Sequence, residues 1–212
     1  MQAIGRVAIS NNWLTIIFII ALVLLVGLKL LNQQKLFGYV RAFFQKGFIE
    51  KKAEERVSFF NNFNIILYLF SILMHAAFFA LTAQELLGIE IDFYVYLKVL
   101  SFIAAYTILF MVLDGIFGSL FEIQNELVYF TAAKSGYFYN TALMLFPFLI
   151  ITVYSFLSIH LLLVVFIVLF TLSIVLTVIN NKKLIINKLF YFILYLCALE
   201  IAPLLIIYKI TV

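Results

Sequence analysis

Six long apolar runs constrain this chain more than anything else in it. They cover Trp13–Leu31, Phe63–Ala83, Val99–Phe117, Phe138–Leu157, Ile159–Ile179 and Leu189–Tyr208. Each is close to the ~20 residues a helix needs to cross a hydrocarbon core of ~30 Å. A β-barrel is excluded: its strands would read as ~10-residue stretches of alternating polarity, whereas Ile16–Val26 and Leu161–Phe170 are apolar on every face. Only 11% of the residues are charged and 67% are hydrophobic, against ~25% charged in soluble domains. The chain is expected to fold as an all-α, polytopic transmembrane helical bundle of about six spans, a single integral membrane domain over residues 1–212.

The first apolar run follows Arg6, as a signal peptide would, but it is longer than a signal h-region of ~7–15 residues and no small-residue cleavage site follows. It is expected to remain as the first helix. The one cysteine, Cys197, falls inside the last span and reads as small apolar filler. Orientation follows from the basic residues. Lys35, Arg41, Lys46, Lys51, Lys52 and Arg56 lie in the first connection, Lys134 in the third, and Lys182, Lys183 and Lys188 in the fifth, ten of the fourteen in all. By the positive-inside rule the odd-numbered connections are cytoplasmic and both termini are outside. The net charge of +4 is thus a topology signal and gives no ground for nucleic-acid binding.

In the first connection Leu36, Phe37, Val40, Phe43, Phe44 and Phe48 recur at helical spacing, with Lys35, Arg41 and Lys46 off that face. The pattern predicts an interfacial amphipathic helix over about 35–48. Its phenylalanines, Phe43 and Phe44 among them, would enter the acyl chains while Lys35, Arg41 and Lys46 meet anionic headgroups. The lipid bilayer is therefore the first expected partner.

Ionisable groups inside a span cost about 2.5–3.5 kcal/mol each on insertion scales, so they mark candidate functional positions. His75 in the second span and Glu200 in the sixth lie at similar depths and are placed to meet; a buried Glu–His pair can carry a proton. The plainer role is an interhelical hydrogen bond that registers the helices. Pro203, three residues after Glu200, predicts a kink there. Asp114, Glu122 and Glu126 recur every four residues with Gly118 and form a carboxylate stripe on one helical face. Either the helix runs on into water or the stripe lines a polar cavity. Asp114 is within reach of Lys29 as an ion-pair partner, and Gly115 and Gly118 would let another helix approach closely. With two histidines and no metal-ligand spacing or phosphate-binding loop, no metal and no cofactor is expected.

The last span, Tyr191–Lys209, contains Leu-Cys-Ala-Leu-Glu200-Ile-Ala-Pro203-Leu. With the Gly136–Pro147 stretch it resembles the DUF4271 family, integral membrane proteins of Bacteroidota catalogued as a domain of unknown function. The resemblance covers nearly the whole chain and implies a bacterial inner-membrane protein. It carries no activity, substrate or catalytic residue. Lacking a catalytic constellation, the chain reads as a non-enzymatic membrane-embedded subunit or scaffold docking an envelope protein partner. The rivals are a small proton-coupled transporter or channel using Glu200, His75 and Asp114, and an intramembrane lipid-modifying enzyme built on the Asp114, Glu122 and Glu126 stripe.

Overall fold

The computed structural model describes residues 12–45, 47–49, 51, 61–88, 91–120, 124–155, 158–180 and 209. Five helices account for almost all of them: α1 (Asn12–Val40), α2 (Asn62–Leu87), α3 (Phe93–Leu120), α4 (Gln124–Tyr154) and α5 (Ile159–Asn180). All five are long and apolar enough to cross a membrane, and no strand occurs among the described residues. The expected sixth span, 189–208, lies outside the described residues, as do Cys197, Glu200 and Pro203.

The local chemistry explains where these helices begin and end. Asn61 caps α2, its Oδ1 accepting from Phe63 N at 3.4 Å, and Gly88 closes it at φ 64°, a left-handed position that suits glycine. Asp92 Oδ1 accepts from Val95 N at 2.9 Å at the start of α3. Helices α3 and α4 both reach further than their apolar runs indicate. The α3 helix begins at Phe93 rather than Val99, and α4 begins at Gln124 rather than Phe138. Tyrosine, threonine and lysine interrupt the apolar pattern there without breaking the helix: Tyr96, Thr131 and Lys134 find partners on neighbouring helices, and Lys98 lies over Tyr94 one turn away on its own.

Helix α2 is the most enclosed of the five, with 61% of its best apolar window inside the bundle, whereas α5 has 11%. It packs on α1, α3 and α4 and touches α5. Lipid tails are as apolar as leucine, so burial supplies no hydrophobic drive between these helices, and close contact has to do the work. The sequence of α2 fits that need. Ala76, Ala77 and Ala80 are fully enclosed and let backbones approach, while Phe70, Met74 and Phe78 fill the spaces between. Hydroxyls turn back on their own helices, as in Ser71 Oγ to Leu67 O (2.8 Å), Thr82 Oγ1 to Phe78 O (3.0 Å) and Thr177 Oγ1 to Ser173 O (2.7 Å). Such back-bonding removes an exposed donor where water is absent.

Enlarging Ala77 tests this packing. Ala77→Leu should lower detergent-state stability by about 1–3 kcal/mol through overpacking, measured as a fall in thermal midpoint. The same change at the exposed Ala105 of α3 should leave the midpoint unmoved.

Candidate functional site

Helix α4 meets all four of the other helices, and its N-terminal half carries the polar groups that make those contacts specific. Ala133, Gly136, Tyr137 and Asn140 follow the spacing i, i+3, i+4, i+7 and form one buried stripe. Against it lies the chain that leaves α1. Ala42 and Ile49 pack with Ala133 and Tyr137, and Phe43 stacks on Tyr137 with centroids 5.8 Å apart and rings 12° from parallel. Gly136 makes this approach possible: a Cβ there would lie 3.1 Å from the Ile49 side chain.

Asn140 joins the two segments. Its amide nitrogen donates to Val40 O at 3.2 Å and also to Tyr39 O. The last carbonyls of a helix have no partner within the helix, so Asn140 caps α1 from 100 residues away in sequence. The side chain is fully buried and its Oδ1 has no hydrogen-bond partner. Upstream, Asn32 leaves helical geometry (φ −162°, ψ 94°) and its Oδ1 accepts from Lys35 N at 2.9 Å. That is an N-cap in the middle of α1: one helix stops and a shorter one, residues 33–40, begins at a new angle. The break brings Tyr39 into one cluster with Leu28, Phe63, Leu67 and Tyr139.

Other faces of α4 bind the remaining helices. Tyr137 Oη accepts from Asn180 Nδ2 at 2.9 Å, and Thr141 Oγ1 lies 3.2 Å from Ser173 Oγ, fixing α5. Thr131 Oγ1 donates to Asp114 Oδ2 at 3.1 Å, fixing α3, and Lys134 Nζ sits 5.0 Å from the Phe110 ring centroid. On α2, the His75 ring stacks on Phe138 at 4.2 Å. Its Nδ1 is 2.8 Å from Ser71 O; a carbonyl only accepts, so Nδ1 carries the hydrogen.

The residues singled out from sequence are distributed as follows. His75 and Asp114 are buried, 6% and 5% exposed, and each is held by a neighbour on its own or the next helix. Lys29 is exposed on α1; a hydrogen-bond partner that the structure gives Asp114 is Thr131 of α4. Gly115 has open space around its Cβ position, so close approach belongs to Gly136 instead. Glu126 lies in α4, and Glu122 is outside the described residues together with Lys46, Glu200 and Pro203; the His75–Glu200 pair therefore falls outside them too. Of the expected interfacial helix, 33–40 is helical and 41–45 is turn. Phe43 faces α4, Phe44 is 82% exposed, Arg41 is exposed and Lys35 is half-buried. Among the described residues no three His, Cys, Asp or Glu side chains converge.

Asn140, Asn32 and Thr131 escape a search for ionisable groups because they carry no charge. The usable signal is an amide inside or beside an apolar run, where a polar group must find a protein partner. Asn140→Leu should destabilise the protein by about 1–3 kcal/mol and speed amide hydrogen exchange across 37–45. Thr131→Val should cost about 0.6 kcal/mol and leave exchange in that segment unchanged.

Five apolar helices tied by interhelical hydrogen bonds and small-residue contacts define a helical membrane protein. Residues 14–211, nearly the whole chain, match the family model described as "Domain of unknown function (DUF4271)". The chain belongs to that family. No curated protein and no solved structure matches it.

Proposed function

We propose that this protein is a non-enzymatic, membrane-embedded subunit or scaffold of a complex in the bacterial inner membrane. One observation carries the reading: polar side chains along α4 hydrogen-bond to three of its neighbouring helices. Asn140 holds the end of α1, Tyr137 and Thr141 hold α5, and the Thr131–Asp114 bond holds α3. His75, the most conspicuous titratable group from sequence, bonds to its own helix and stacks on Phe138. This is how side chains behave when the product of the fold is a fixed shape. In the proposed topology the first, third and fifth connections are cytoplasmic, residues 189–208 form a sixth span, and both termini are outside.

A second reading, a small proton-coupled transporter, rests on the burial of Asp114 and His75, with Glu200 as a third participant. The readings separate in two measurements. Affinity purification of the carboxy-terminally tagged protein in mild detergent should retain a stoichiometric membrane or envelope partner; a lone protein would overturn the subunit reading. In proteoliposomes, Asp114→Asn should leave proton leak at the level of the parent. A large loss of proton flux with normal abundance would establish the transporter instead.

A further inference from the structure

The turn that follows α1 has two sides of opposite character. Gly38, Tyr39 and Ala42 are buried, and Phe43 lies on Tyr137. Phe37, Arg41 and Phe44 are all exposed, spaced by four and three residues. Backbone bonds carry the end of α1 into the turn that holds them, Arg41 N to Phe37 O at 3.0 Å and Phe44 N to Arg41 O at 2.8 Å. The outward surface is therefore a guanidinium between two phenyl rings, 47% and 82% exposed.

We propose that Phe37, Arg41 and Phe44 form a binding site for anionic phospholipid, the guanidinium holding the headgroup phosphate and the two rings entering the acyl chains beside it. Three observations favour this occupant. Leu30 and Leu31, which end the first segment of α1 just before the site, are 83% and 50% exposed, so apolar surface suited to lipid lies next to the site in the chain. Residues 29–51 contain Lys29, Lys35, Arg41, Lys46 and Lys51 against the single acid Glu50, and that excess complements an anionic leaflet. Finally, the surface is held from behind by the Asn140 amide, the Phe43–Tyr137 stack and Ile49 on Gly136. A planar, bidentate donor on a fixed support suits a phosphate better than a mobile lysine tether does. The site stands whether the protein is a subunit or a transporter.

The sequence has one tryptophan, Trp13, so Trp13→Phe with Phe44→Trp places a lone fluorophore in the site. The full-length variant is reconstituted in phosphatidylcholine vesicles carrying brominated phosphatidylglycerol or, separately, brominated phosphatidylcholine. Phosphatidylglycerol should quench at about five-fold lower mole fraction, the factor expected for one cation at an anionic surface, and Arg41→Gln should bring the two curves together. Superimposed curves before that substitution would overturn the proposal. Quenching by aqueous acrylamide and by neither lipid would also overturn it, because the ring would then lie in water. Native mass spectrometry of the protein without the fluorophore changes, compared with Arg41→Gln, reads the same preference should Phe44→Trp fold poorly: retained phosphatidylglycerol should fall in the variant, and equal retention would refute the site.

Discussion

A polar group in a bilayer core has no water to turn to, and the arrangement of this protein follows from that. Each backbone or side-chain polar atom at membrane depth must find a partner in the protein itself. Helix α4 is where those demands converge. Asn140, Tyr137, Thr141 and Thr131 point to three different neighbours, so one helix sets the rotation of the others about their axes. Apolar contact alone would not, because a leucine-rich surface packs nearly as well against lipid as against another helix.

Shape does the rest. The enclosed alanines of α2 let its neighbours come close, and the rings of Phe78 and Phe166 stack at 4.1 Å where α5 meets it. At the other end of the scale, α3 and α5 turn long apolar faces outward. The central α2 mixes alanine, serine and histidine into its apolar pattern, whereas the peripheral α5 is more hydrophobic, with leucine, valine, isoleucine and phenylalanine on nearly every face.

Spans were legible in the sequence because length and hydropathy report directly on the solvent that a segment prefers. The first, second and fifth runs correspond closely to α1, α2 and α5. Helix starts were less legible. The long extension of α4 toward Gln124 carries Thr131, Lys134 and Ser135, residues that hydropathy counts against a span; Asp114 and Phe110 of α3 receive the first two and Ser135 bonds back to its own helix. The candidate site shows the same division. Charge drew notice to Asp114 and His75, and both are indeed buried, but partners depend on helix adjacency, which one sequence does not encode visibly. Charge points to Lys29 as a companion for Asp114, and nothing in a charge pattern points to the uncharged Thr131 that donates to it. The helical spacing of Leu36, Phe37, Val40, Phe43, Phe44 and Phe48 suggests one apolar face, but the helix gives way to a turn at 41–45 and Phe43 and Phe44 part to opposite sides; spacing cannot say that Gly136 leaves room for a second layer, nor that Asn32 interrupts the helix before it.

The Asn140–Tyr39 contact joins residues 101 positions apart. At a synthesis rate of roughly 5–20 residues per second, some 5–20 s separate their emergence from the ribosome. During that interval the end of α1 and the turn beyond it lack their cap and their platform, and three further helices must enter the membrane before either exists. The end of α1 and the turn beyond it thus reach their final form only after α4 arrives, which makes assembly of this bundle an event that closes from the middle of the chain backward.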